Sequence, residues 1–126
     1  SRGLGDVYKR QVLKRVYAEG KTILNVGIKS GYTALSQLTS VVDDSIQTYA
    51  VSRTIYKSIE SNCRESLDMF SLNDKIVKIE VWKYNPMIFM TDNCVDRLSL
   101  YLSFANDNDE RTEESLEELM KEINNG

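Results

Sequence analysis

The side chains able to do chemistry are few, and their spacing decides whether they can act together. Asp43 and Asp44 follow Gly31 in a way that resembles the glycine and paired carboxylates with which nucleotidyltransferases hold magnesium. Such a site needs carboxylates that converge on one ion, usually from the same face of a strand. Adjacent strand residues point to opposite faces, so the match is poor. Asp92 and Asp96 offer a second carboxylate pair around the loop after Pro86. Asp107, Asp109 and Glu118 fall at the first, third and last positions of a calcium loop. However, Arg111 brings a cation to the fifth position and Thr112 replaces the glycine of the sharp turn at the sixth. That acidic run reads as a solvated loop and a helix start.

Other reactive patterns fail on their own requirements. Gly27-Ile28-Lys29-Ser30-Gly31 resembles a phosphate loop only in composition, because that loop needs a glycine directly before the lysine. A nucleophile elbow around Ser30 would need glycine where Ile28 stands. These glycines read as turn formers. Cys63 and Cys94 lie far apart with no CxxC spacing, so they read as small buried or half-buried thiols of a reducing cytosol. Histidine is absent, which removes the commonest general base and the commonest transition-metal ligand. No catalytic, cofactor-binding or metal-ligating residue is therefore assigned, and no cofactor is expected. The enzymatic alternative is a degenerate nucleotidyltransferase or another carboxylate-dependent enzyme using Asp43, Asp44, Asp92 or Asp96. Against it stands the structural role of these residues, with Asp96 capping a helix and the others solvating loops.

The elements that would position these residues begin after a foreign stretch. Ser1–Gln11 reads as a translated sequencing-library adapter, since Asp6–Gln11 back-translates without conflict to the adapter's mosaic end; such scars are set aside before a fold is argued. Removing Arg2, Lys9, Arg10 and Asp6 changes 16 Lys+Arg against 19 Asp+Glu into 13 against 18, a net charge of −5. An acidic surface does not attract the phosphates of nucleic acid. About 115 residues suffice for one domain with its own core. No apolar run approaches the roughly 20 residues of a membrane span, and a cytoplasmic location is expected.

Val12–Ala18 reads as a helix remnant with Val12 and Val16 inward, closed by Gly20; residues 12–20 would then be a connector from a missing N-terminal domain. Residues 21–126 would form the domain itself. Apolar spacing predicts helices over 33–42, 53–61, 95–104 and 110–123, the last with Leu116, Leu119, Met120 and Ile123 on one face. Thr48–Val51 reads as a strand, with Ser52 able to cap the helix after it. Lys75–Lys83 alternates cleanly: Val77, Ile79 and Val81 face one way, Lys78 and Glu80 the other, with Trp82 and Tyr84 at the far end of the polar side. The expected fold is a single α/β (mixed α+β) domain with a small mixed sheet packed by about four helices. Trp82, Tyr84, Met87 and Phe89 form a candidate partner surface, although packing beneath the final helix is the commoner fate of such residues.

Four segments together carry a resemblance: Ser30–Asp44, Thr48–Ile59, Lys78–Phe104 and Asp109–Met120. Its most specific parts are Tyr49-Ala50-Val51, Trp82-Lys83-Tyr84-Asn85-Pro86, and Val95-Asp96 followed by Leu98–Ser103. The chain resembles the C-terminal domain of a group of bacterial proteins in which a MarR-like winged helix comes first. That group is distantly similar to the antitoxins of type IV abortive-infection systems. Where the pattern favours proline after Asp96, this chain has Arg97. The resemblance implies a regulatory or interaction domain of a transcriptional regulator or antitoxin-like protein. DNA would be bound only through the missing N-terminal winged helix, and this module would form a homodimer, bind a partner protein or sense a ligand. It supplies no catalytic residues; from the apolar pattern alone, no membrane association is expected.

Overall fold

The computed structural model describes residues 12–71, 74–90, 93–104 and 110–125. Expectations resting on Ser1–Gln11, Asp92, Asp107 or Asp109, or on the side chains of Phe89 and Arg111, lie outside the described residues. Four strands, β1 (Val12–Glu19), β2 (Ile28–Lys29), β3 (Thr48–Ser52) and β4 (Ile76–Trp82), form one sheet in the order β1-β4-β3-β2. β1 runs antiparallel to β4, β4 parallel to β3, and β3 antiparallel to β2. Four helices pack on it: α1 (Gly31–Leu38), α2 (Arg53–Ile59), α3 (Arg97–Phe104) and α4 (Glu110–Asn125). The architecture is a single small α+β domain with a mixed sheet, as the sequence predicts.

The first element differs from expectation. Val12–Glu19 is the sheet's edge strand, not a helix remnant, and pairs with β4 from Val12↔Trp82 to Glu19↔Ile76. The reason lies in the spacing used to predict it. Residues four apart share a helix face, but four is also even, so the same spacing suits a regular strand; a bulge between Val12 and Lys14 then puts Val12 with the Trp82 cluster and Val16 with Ile79 on the opposite face. Contacts with β4 settle the matter, burying Val16 and Ala18. Gly20 is correspondingly not a helix C-cap; it opens a short 3-10 turn (Gly20–Ile23) and donates its N–H to the Lys75 carbonyl at 2.8 Å.

The parallel pair follows from the predicted strand, cap and helix. Thr48–Ser52 runs into α2, whose first turn is capped by Ser52 Oγ accepting from the Ile55 N–H at 3.2 Å. Chain leaving α2 returns as β4 beside β3. Both faces of the sheet are covered. On one, Val51, Val77, Ile79 and Val81 pack with Val16, Ala18, Ile23 and Ile59. On the other, Ile28, Ala50 and Trp82 pack with Leu35, Leu100, Phe104 and Leu119 from α1, α3 and α4. The two-residue alternation of β4 therefore separates two cores, where the sequence suggested core and water. Trp82 and Glu80 lie on the second core face, 5% and 8% exposed.

Local chemistry sets the helix ends. Gly31, at the start of α1, has φ +55, and a Cβ there would lie 3.3 Å from Thr48 Cγ2, so glycine fits for both backbone and space. α1 ends at Leu38, earlier than predicted. Thr39 turns its N–H (2.9 Å) and its hydroxyl (2.8 Å) onto the Leu35 carbonyl, and the β-branched Val41 and Val42 that follow are poor helix formers. At α3, Asp96 accepts the Ser99 N–H at 3.0 Å as an N-cap. α4 buries Leu119 with Thr112 and Ser115, and Leu116 and Ile123 flank them. Among the described residues no helix is long and apolar enough to cross a membrane.

Candidate functional site

The parallel pair β3/β4 has two ends, and a hollow lies at each. At the carboxyl ends, where open α/β sheets usually bind ligands, a hollow of about 440 Å³ is lined by residues including Ser52, Arg53, Thr54, Lys83, Asn85 and Met87. Ser52 Oγ is engaged as the α2 cap, and Asn85 Oδ1 accepts the Met87 N–H at 3.0 Å. The described lining offers two cations, hydroxyls and an amide, with no carboxylate, thiol or imidazole to move a proton.

The amino ends open into a cleft of about 540 Å³. Val77 reaches it from β4 and Lys75 from the position just before that strand, Gln47 and Tyr49 from the entry to β3, Lys29 from β2, and Lys21, Ile23 and Leu24 from the 3-10 turn and its exit. Gly27 closes the floor, where a Cβ would lie 3.2 Å from Tyr49 Cβ, so a larger residue would push the turn and β3 apart by a few tenths of an ångström. Burial, with the nearby Asp43 carboxylate, pushes the Tyr49 phenol above its ordinary value; its hydroxyl donates to Gln47 Oε1 at 3.1 Å.

Between these ends sits a polar network that the alternation of β4 did not reveal. Glu80 Oε1 accepts the Ser30 hydroxyl at 2.6 Å and the Trp82 Nε1–H at 3.2 Å, while Oε2 faces Arg15 Nε at 3.5 Å. Ala50 lies between Glu80 and Ile28 in the register, and its small side chain leaves Ser30 room to reach across the sheet. Ser30, at the N-cap position of α1, makes no side-chain cap bond and spends its hydroxyl on Glu80. The sequence signal was slight: one acid two residues before a tryptophan.

No family, characterised protein or solved structure matches this chain.

The carboxylates considered for chemistry are mostly dispersed and engaged. Asp43 Oδ1 accepts the Thr33 hydroxyl at 3.0 Å and the Asp44 N–H at 2.7 Å, and Thr33 Oγ1 in turn accepts the first β3 amide, Thr48 N–H, at 2.7 Å. Asp43 thus fastens the α1–β3 connection. Asp96 caps α3, and Glu118 accepts the Ser40 hydroxyl at 2.9 Å. Among the described residues no three of His, Cys, Asp and Glu gather to hold a metal ion.

The aromatic candidates divide between core and surface. Trp82 lies in the core with its ring edge-on to Tyr84, centroids 5.4 Å apart, the packed alternative to a partner surface. Tyr84 is half-buried and shares a 3.2 Å hydrogen bond with Ser99. Met87 is exposed. Cys63 and Cys94 are not joined in a disulfide and sit in clusters on opposite faces of the sheet. Cys63 Sγ donates to the Ile59 carbonyl at 3.4 Å, and burial pushes its pKa up, away from the reactive thiolate.

Proposed function

We propose that this is the C-terminal regulatory or interaction domain of a bacterial winged-helix transcriptional regulator or antitoxin-like protein. DNA would be gripped by the N-terminal winged helix, and the α+β module would tune that grip through a ligand, a partner protein or a second copy. The observation that carries the reading is the hollow at the carboxyl ends of β3 and β4. An enzyme of this topology would keep carboxylates, thiols or imidazoles there to move protons, and the described lining holds none of these. Asp43 and Asp96, the described acids best placed for an alternative chemistry, are occupied in a turn and a cap. The resemblance in Thr48–Ile59 and Lys78–Phe104 supports the same reading, and so does the acidic charge balance.

Gel-shift assays test it, comparing residues 12–126 with the chain extended through its upstream coding sequence. Sequence-specific DNA binding by the extended protein and none by the shorter one is the expected result. Specific binding by residues 12–126 alone, or no binding by the extended protein, would overturn the proposal.

A further inference from the structure

The chain as a whole is acidic, yet the cleft at the amino ends of β3 and β4 gathers Lys21, Lys29 and Lys75 against Glu19 and Asp74. Glu19 is taken up by Lys21 at 3.3 Å, and Asp74 Oδ2 accepts the Ser71 N–H at 3.0 Å. Lys29 and Lys75 make no ion pair among the described residues. Two ammonium groups thus border one concavity with no described carboxylate ion-paired to them, against the sign of the molecule's net charge.

The remaining lining is chemically divided. Ile23, Val77 and the Tyr49 ring form an apolar floor, and Leu24 stands at the edge 76% exposed. Gln47 accepts the Tyr49 hydroxyl through Oε1, which leaves its amide N–H groups as donors. Asn93, also at the edge, adopts φ 63 and gives its carbonyl to the Lys29 N–H at 2.9 Å, so the strand bearing Lys29 is pinned on both sides. A concave apolar surface with a few convergent polar groups is the usual form of a small-molecule site.

We infer that this cleft binds a small amphipathic anion, its acidic group held by Lys29 and Lys75 and its apolar body laid on Ile23, Val77 and Tyr49. The inference deepens the regulatory reading, and rests on it for the ligand's role as an input; binding itself is measured apart from DNA. A neutral ligand of the same shape gains the floor contacts but not the ammonium groups. A wholly polar anion gains the reverse.

The test uses a matched pair of probes, 1-anilinonaphthalene-8-sulfonate and the same molecule without its sulfonate, N-phenyl-1-naphthylamine. Saturable, one-to-one binding of the sulfonate is expected, at least about tenfold tighter than the neutral probe. Its amide chemical-shift changes should centre on Gly20, Gly27, Tyr49 and Asn93. In Lys29→Met/Lys75→Met, sulfonate affinity should fall by at least about tenfold while the neutral probe is unchanged. Near-ultraviolet circular dichroism must match the unaltered protein, since this dye also reports loosened cores. Equal affinity for the two probes on the unaltered protein would overturn the anion assignment, whatever the variant does. Absence of saturable binding, or shifts centred elsewhere, would overturn the site. None of these outcomes bears on the gel-shift comparison, so failure of the cleft and failure of the regulatory reading are told apart.

Discussion

The Ser30 hydroxyl donates to Glu80 Oε1 at 2.6 Å, joining the start of α1 to the middle of β4 across the intervening strand β3. The carboxylate also holds the indole N–H of Trp82, so its removal orphans two buried donors. An unsatisfied buried polar group costs about 1–3 kcal/mol. Glu80→Ala should therefore lower unfolding free energy by about 2–4 kcal/mol, whereas Glu80→Gln, which keeps an acceptor, should cost about 1 kcal/mol. Urea denaturation measures both. Arg15, whose side chain is 60% exposed, contributes little as an ion-pair partner, so Arg15→Ala should cost less than about 1 kcal/mol.

Trp82 is where core and partner surface separate as explanations. Its 5% exposure makes Trp82→Ala a core truncation, expected to cost about 3–5 kcal/mol. Met87→Ala, at a side chain 39% exposed, should stay within about 1 kcal/mol. Thermal unfolding alongside sedimentation checks this. Loss of self-association in Trp82→Ala at unchanged stability would contradict the core assignment.

Asp96 reports on whether its carboxylate is a cap or a reagent. Asp96→Ala should cost about 1 kcal/mol through the lost bond to the Ser99 N–H, and Asp96→Asn, which can still accept it, a few tenths. Equal destabilisation by the two substitutions in urea would count against the cap.

Cys63 gives a pH dependence whose sign is set by burial. Its pKa is raised on folding because burial disfavours the thiolate. The associated stability is present in full below the ordinary thiol value and is lost as pH climbs through the raised folded value. Iodoacetamide should accordingly alkylate Cys63 more slowly than free cysteine at mildly alkaline pH, with the gap narrowing as pH rises further. Mass spectrometry of the alkylated protein follows the rate.

Much of the fold was legible because local patterns and tertiary contacts agreed. The β4 alternation, the Ser52 and Asp96 caps and the apolar stripe of α4 each reflect short-range spacing that the sheet then uses. The failures come from degeneracy and distance. The spacing of Val12 and Val16 suited a helix or a regular strand, and only pairing with β4, through a bulge that sends the two valines to opposite faces, chose between them. Two-residue β2 is too short to leave a pattern; it exists because Ile28 and Lys29 meet Ala50 and Tyr49. Glu80 looked solvated because spacing shows which residues share a face, not whether helices cover that face. The lysine cleft was illegible for a similar reason, since Lys21, Lys29 and Lys75 come from three separate segments.

The pairing of the first strand with the last has a consequence for synthesis. While the ribosome is still delivering the middle of the chain, Val12–Glu19 lacks its ladder partner, because Ile76–Trp82 has yet to emerge. Pairings this remote in sequence are slow and leave an unsatisfied edge open to aggregation in the interval. A nascent product halted before Trp82 would carry that hazard, and the bridge of Tyr17 to Arg64 and the Lys14 ammonium over the Tyr56 ring are contacts that could shield the strand earlier.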